Sequence, residues 1–430
     1  GKNNNNNNNN NNENENNNKY IRGNNEINRI DNSKINYQTN KDTLHIIFST
    51  DCGTFQDWQT LLLFHSAKVV NQQGPLTRIA SGCDEEKKQQ LTKLYKTLYP
   101  DYFVHFTPDF KTDAKTGRKY DFYNKPYGVL HWLDNAEPRI TPGTIVALID
   151  PDFIFLRPLT TKVLGESNII VSGAVKMEDL FERVEKGRPV AQQYGLGAPW
   201  VNDNHKKFNR TKICGSNSPC LKVPSEKEGA RFYSVGPPYI LERDDLHRLT
   251  KSWTSLVPKV YEGYPYLLAE MYAYSMAAAH EELPHLRLDH YMVSNIEAGD
   301  EGWKWIDSLG DDVCIHPVDG IYYPDKPLPT FLHYCQTFRV GELGFWKREV
   351  DRNIFSCESN LLVEPPDNLS TFNYYMKHGE KIDLKQRQSR RHAFMLCAIH
   401  RSFNSALEDY KAKMCQDKPP NLAKTAVYVS

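Results

Sequence analysis

The chain has 430 residues with 53 basic and 53 acidic side chains, so its formal net charge is zero. That length suits one large domain or two ordinary ones. The neutral balance gives no basic surface of the kind nucleic acid demands, so no nucleic-acid partner is expected. No run of about 18 apolar residues appears, so no segment here reads as membrane-spanning.

Residues 1–40 are nearly all Asn with a few charged residues. Asn forms neither helix nor strand well and buries nothing, so this tract reads as a disordered stem. Ordered pattern begins with an apolar strand at Leu44–Ser49, closed by the turn signal Thr50-Asp51-Cys52-Gly53. A helix is expected from about Asp57 to Val70, a strand over Leu76–Ala80, a charged helix over Glu85–Leu98 and a strand near Tyr102–Val104. Asn124–Leu133 reads as a helix with Pro126 in its first turn. Thr144–Ile149 is a continuous apolar run, the pattern of a strand buried on both faces. Strand and helix thus alternate, which predicts an α/β fold with a doubly wound sheet flanked by helices. Beyond Ser167 the pattern is mixed: Ile169–Val171 and Tyr239–Leu241 suggest strands and Ala269–Ala279 a buried helix. The tail from about Thr371 is charged and mostly helical in pattern, an appended element outside the sheet.

The nine cysteines show no CxxC and no zinc-ligand spacing. Cys214 and Cys220 flank a short polar stretch and suit a small disulfide loop. Together with two Asn-X-Ser/Thr sequons, at Asn209 and Asn368, they favour an oxidising lumen.

The most informative segment is Asp150-Pro151-Asp152, directly after the buried strand. Open α/β sheets place their ligand crevice at the carboxyl ends of their strands. In extended geometry residues i and i+2 point the same way, so both carboxylates converge on one hard cation, Mn²⁺ or Mg²⁺. Such a cation neutralises a diphosphate leaving group. The plain alternative is a turn with a solvated Asp152.

At this point the chain resembles the hydroxyproline O-arabinosyltransferases and peptidyl-serine α-galactosyltransferases. The resemblance runs from about Leu44 to Pro366. It is carried by FSTDCGTFQDWQ at 48–59, LTRIASG at 76–82, NKPYGVLHWL at 124–133, IDPDFIFLRPL at 149–159, AEMYAYSMAAA at 269–279 and FLHYCQTFRVGELGFWK at 331–347. Features of both branches are present, while the Asn tract, a stretch at about 176–231 and the tail match neither. The resemblance implies a GT-A glycosyltransferase domain over 41–366, followed by a helical extension over 367–430. It further implies a UDP-sugar donor, retaining transfer of arabinofuranose or galactose to hydroxyproline or serine hydroxyls of a protein acceptor, and residence in the Golgi or endoplasmic reticulum lumen. The full-length protein is then expected to reach a membrane through an amino-terminal anchor.

Within this frame the expected metal ligands are Asp150, Asp152 and His333, the last because GT-A enzymes commonly use a late histidine. The donor is expected to meet Thr50, Asp51 and Cys52 at the first strand's end, Arg78 of the second strand, Asn124 and Lys125 at a helix amino terminus, Asp150, and Lys347. Each has a structural alternative: a cap, an internal ion pair or a surface lysine. Glu270 stands in an otherwise apolar and aromatic helix, where a carboxylate is costly unless paired or employed, and is the leading catalytic candidate, with Asp289 second. Two rival readings are a nucleotidyltransferase on a similar sheet and a non-catalytic sugar-nucleotide scaffold. The loop after the first strand is not Gly-rich, which disfavours the former, and the full set of candidate residues disfavours the latter.

Overall fold

The computed structural model describes residues 44–164, 175–202, 205–315 and 328–425. The Asn tract and the strand expected at Ile169–Val171 lie outside the described residues.

The first half follows the alternation read from the sequence. Strand β1 (Leu44–Asp51) leads into α1 (Thr54–Val69), β2 (Leu76–Ser81), α2 (Glu85–Leu98), β3 (Phe103–Thr107), α3 (Asn124–Asn135) and β4 (Ile145–Ile149). Strands β3, β2, β1 and β4 lie side by side and parallel. The period of two along each strand sorts side chains to opposite faces. Ile47, Val146 and Leu148 join one core cluster, and Ile46, Phe48, Ala147 and Ile149 another. Helix α2 shows the same logic at helical period: Leu91, Tyr95 and Leu98 are buried, and Asp84 caps its start by accepting from the Lys87 N–H at 2.8 Å.

The second half begins with β5 (Phe153–Phe155), β6 (Val190–Gln193), α4 (Arg210–Cys214) and α5 (Glu226–Tyr233). Strand β7 (Val235–Glu242) runs antiparallel to β4 and extends the main sheet. Helices α6 (Arg243–Gly263) and α7 (Ala269–His280) pack with α3 over one face, and β8 (Leu286–Leu288) closes the edge. The main sheet has seven strands in the order β3-β2-β1-β4-β7-β6-β8, mixed in direction and flanked by helices, as the α/β reading expects. Strand β9 (Met292–Val293), helix α8 (Trp303–Asp307) and strand β10 (Phe331–His333) follow. With β5, strands β9 and β10 form a second sheet of three strands. Strands β11 (Phe338–Val340) and β12 (Leu343–Phe345) make a hairpin, and β13 (Leu361–Leu362) precedes the tail.

The tail is not helical from its start. Strands β14 (Tyr374–Lys377) and β15 (Glu380–Asp383) form a hairpin whose turn places His378 and Gly379 at positive φ. Only then does α9 (Gln386–Met414) begin, before the short β16 (Lys424–Thr425). Helix α9 lies outside the main sheet but is not superficial. Phe394, Leu396, Phe403 and Leu407 are buried in a cluster with Trp58 and Leu62 of α1, Ile154 of β5 and Leu332 of β10.

Disulfides Cys314–Cys397 and Cys357–Cys415 tie α9 to the body, and Cys214–Cys220 and Cys52–Cys83 close two further loops. Cys314 and Cys397 are 83 residues apart, and a bridge closing so long a loop restricts the unfolded chain strongly. Replacing both by Ser is therefore expected to lower unfolding free energy by about 3 to 5 kcal/mol. Denaturant titration checks this, and an unmoved midpoint would show that the bridge adds nothing.

Candidate functional site

Strands β2 and β3 lie on one side of β1, while the chain returns through α3 to place β4 on the other. The strand order therefore reverses between β1 and β4, and their carboxyl ends frame a crevice. Asp150 directly follows β4. The chain then turns at Pro151 and leaves the main sheet for the smaller one, where β5 pairs antiparallel with β10. That pairing sets Phe153 opposite His333, and the Tyr334 N–H donates to the Asp152 carbonyl at 3.1 Å. The site is thus made where the two sheets meet: one strand delivers Asp150, and the pairing of the next delivers Asp152 and His333.

Ligand atoms of Asp150, Asp152 and His333 lie within 4.8 Å of one another. Nε2 of His333 is 3.2 Å from Asp152 Oδ2, and its ring packs on Phe153 at 4.8 Å between centroids. The His333 Nδ1 is buried without a hydrogen-bond partner. Two carboxylates and an imidazole suit a divalent cation of the Mn²⁺ or Mg²⁺ type, so the residues present fit such an ion.

Two lysines reach the same carboxylates. Helix α3 starts behind a 3-10 turn at Asp121–Tyr123, which puts Lys125 in its first turn. Gly128 lets this helix press onto β2, since a Cβ there would stand 3.1 Å from Ile79. Lys125 Nζ is 2.8 Å from Asp150 Oδ1 and 3.2 Å from Glu270 Oε1. Burial works against its charge, but the Asp150 and Glu270 carboxylates prevail and hold the amine above its usual range. Lys347, just after β12, places Nζ 2.5 Å from Asp152 Oδ2. Burial opposes ionisation of Asp152 too, yet His333 and Lys347 keep its carboxyl below the usual carboxylate range.

Glu270 occupies the first turn of α7 and is only 4% exposed. The Tyr120 hydroxyl anchors that turn by accepting from the Glu270 N–H at 3.1 Å and donating to the Leu267 carbonyl at 2.7 Å. Burial raises the Glu270 carboxyl above its ordinary value, against the pull of Lys125. Its second oxygen, Oε2, is buried with no hydrogen-bond partner. Though it stands on a separate helix, Glu270 is coupled directly to Asp150 through Lys125.

The β1 end differs from expectation. Arg78 is fully buried, and its guanidinium donates to the Thr50 hydroxyl at 2.8 Å, Asp57 at 2.9 Å, the Asp51 carbonyl at 2.8 Å and the Tyr95 hydroxyl. Arg78 and Thr50 thus brace the strand end from inside, and an arginine so enclosed does not reach a phosphate. The Cys52 sulfur is consumed by Cys83, which leaves Cys52 no thiol to offer a donor. Asp51 stays half-exposed, accepting from the Gly53 N–H and facing Lys111 at 3.3 Å. Asn124 is buried, and its Oδ1 accepts from the Phe110 N–H at 2.7 Å, so that side chain ties down a loop.

Asp289 does not join Glu270 but sits in a second charged group with Arg287, Asp300 and Glu301 at the β6–β8 edge. Its carboxyl is raised from 3.8 to about 7, by burial first and then by Asp300. The folded value lies above the unfolded one, so the folded chain retains a proton between those two pH values and stability falls as pH rises through that window. Asp289→Asn should therefore match wild type near pH 4 and exceed it at pH 8 by about 1 to 3 kcal/mol. An equal difference at both pH values, measured by denaturant unfolding, would show that Asp289 does not titrate there.

Sequence pattern gives no sign of Gln192 and Gln193, buried beside this second group. Gln192 accepts from the Met292 N–H at 3.0 Å and donates to the Asp289 carbonyl at 3.2 Å. They lie in the stretch outside the recognised motifs. Cys335, unpaired among the described cysteines, lies next to His333, where the motif HYC gave the only signal.

No family model matches the chain. A peptidyl serine alpha-galactosyltransferase of Arabidopsis thaliana is 28% identical over 333 residues, 75% of this chain and 34% of that protein. A protein of the same name from Chlamydomonas reinhardtii is 22% identical, covering 89% of this chain and 47% of that protein. A hydroxyproline O-arabinosyltransferase of Medicago truncatula is 20% identical over 81% of each chain. The chain thus spans about a third to a half of the first two relatives. The apo structure of the WbbM bifunctional glycosyltransferase aligns at 12% identity and a TM-score of 0.34, covering 69% of this chain and 46% of that one, too weak a likeness to build on. Through most of its length the chain is similar to protein glycosyltransferases named for peptidyl serine and for hydroxyproline, the resemblance that its motifs carry.

Proposed function

We propose that this chain is the catalytic domain of a metal-dependent glycosyltransferase that takes a UDP-sugar, with galactose or arabinofuranose as the transferred group, and passes it to a serine or hydroxyproline hydroxyl of a protein. The observation that carries the reading is the convergence of Asp150, Asp152 and His333 at the strand-order reversal, with Lys125 and Glu270 attached to the same group. Retention of configuration is part of the proposal through the family likeness alone.

Asp150, Asp152 and His333 would hold Mn²⁺ or Mg²⁺, which would supply charge neutralisation for the departing diphosphate. Lys125 and Lys347 add positive charge where the leaving group's negative charge grows, the setting in which fixed electrostatics contribute most. Glu270 brings the opposite charge next to Lys125, suited to a positive sugar transition state or to the acceptor hydroxyl. Asp51, half-exposed at the β1 end, remains a candidate for the nucleoside. Four disulfides support an oxidising compartment, and residence in the Golgi or endoplasmic reticulum lumen is part of the proposal.

The test is a donor screen with Mn²⁺, using UDP-galactose, UDP-arabinofuranose, UDP-glucose and UDP-xylose against serine and hydroxyproline peptides. Labelled sugar should move to peptide from the galactose or the arabinofuranose donor. Absence of transfer from all four, with no metal-dependent UDP binding by calorimetry, would overturn the reading and point to a scaffold.

A further inference from the structure

The two carboxylates of the candidate cation site are each already joined to an ammonium. Lys125 Nζ lies 2.8 Å from Asp150, and Lys347 Nζ lies 2.5 Å from Asp152. The lysines come from far apart in the chain, one opening α3 and one following β12, and both are mostly buried. An ammonium seeks the same carboxylate oxygens as a hard divalent cation. The three ligand groups lie within 4.8 Å of one another, so a cation among them would stand close to both ammoniums. Like charges held that close repel strongly where water is largely excluded. A metal ion arriving alone therefore meets two cations that already satisfy its ligands. A diphosphate arriving alone meets Asp150, Asp152 and Glu270. Arriving together, the two oppose neither set, because the phosphate oxygens give the displaced ammoniums a new partner.

We infer that Lys125 and Lys347 are counter-cations that keep the metal site closed to a lone metal ion and couple its filling to a nucleotide diphosphate, each lysine passing from carboxylate to phosphate. Lys125 adds a second consequence. It also pairs with Glu270 at 3.2 Å, so its movement toward phosphate frees the Glu270 carboxylate when a donor is in place. The inference rests on the assignment of Asp150, Asp152 and His333 as metal ligands.

The experiment is Mn²⁺ binding followed by the electron paramagnetic resonance signal of free Mn²⁺, with and without UDP. Wild type, Lys347→Met and Lys347→Gln are compared, the Gln variant keeping a hydrogen-bond donor without charge. Wild type should bind Mn²⁺ weakly alone and more than about tenfold tighter with UDP. Each variant should bind Mn²⁺ alone at least about fivefold tighter than wild type and gain less from UDP. Lys125→Met should show the same change. A merely structural lysine would not increase affinity for metal when removed. Variants that bind Mn²⁺ alone no better than wild type, with the gain from UDP undiminished, overturn the counter-cation role and leave the ligand assignment standing. Wild type that holds no Mn²⁺ even with UDP overturns both.

Discussion

Replacing Asp152 by Asn is expected to reduce sugar transfer to below about a thousandth of the wild-type rate. Asp152 is 6% exposed and faces His333 and Lys347 through one carboxylate oxygen. Asn keeps the shape but removes the charge that a cation and two basic side chains share. It also leaves Lys347 without its ion-pair partner, so the fold should lose about 1 to 3 kcal/mol. The variant should melt somewhat earlier yet remain folded at ordinary temperature. The decisive measurement is UDP binding by calorimetry with and without Mn²⁺, in which the metal dependence should vanish. Turnover within about tenfold of wild type, in a chain that still melts cooperatively, would remove Asp152 from the metal site.

Glu270→Gln carries the second large effect. Turnover should fall by about a hundredfold to a thousandfold, with affinity for UDP and Mn²⁺ within about fivefold of wild type. Gln preserves size and one hydrogen-bonding oxygen while removing the charge. Because Lys125 bridges Glu270 and Asp150, the substitution also lets that lysine settle wholly on Asp150, and a small shift in metal affinity follows. A carboxylate that served only as an ion-pair member would give a different result. Stability would drop by about 3 to 5 kcal/mol and the folded fraction would keep normal turnover. Thermal melting and single-turnover kinetics on one preparation separate these outcomes.

Half of the main sheet was legible because strand and helix alternate there and the strands are plainly apolar. The helix at Glu85–Leu98 has the bounds that its charge and period imply, and β1 runs to Asp51, slightly past its expected end, where Arg78 donates to Thr50. The antiparallel half was legible only in part: Tyr239–Leu241 and Ala269–Ala279 read as a strand and a buried helix, and they lie within β7 and α7, but the rest was hidden for local reasons. Strand β7 starts before its expected first residue Tyr239 and takes in Pro237 and Pro238, poor strand formers, and β6 ends in two glutamines whose burial only the folded edge reveals. Helix α6 carries Pro258 inside it, which hides its length. At the site, the Asp-Pro-Asp segment stood out from the apolar strand before it, whereas its pairing with His333 depends on β10 returning from far along the chain. Residue types named Lys125 and Lys347 as phosphate partners but did not show that each occupies a carboxylate of the candidate metal site. Arg78 read as a ligand contact because a guanidinium near the β1 end can reach a phosphate or an acidic partner; here the partners are internal, Asp57 and Tyr95.

The two long-range bridges onto α9 bear on how this protein can be cut for laboratory production. The recognisable motifs stop near Pro366, which makes that point an inviting place to truncate. A chain ending there would lose Cys397 and Cys415, and the stranded thiols of Cys314 and Cys357 would be free to cross-link wrongly. It would also uncover Trp58, Leu332 and Tyr334, the last two adjoining His333 on β10 and just beyond it. Loss of activity in such a fragment would then report a collapsed scaffold rather than a missing catalytic residue. A fragment meant to keep this core intact should therefore run past Cys415 and be made where thiols can oxidise.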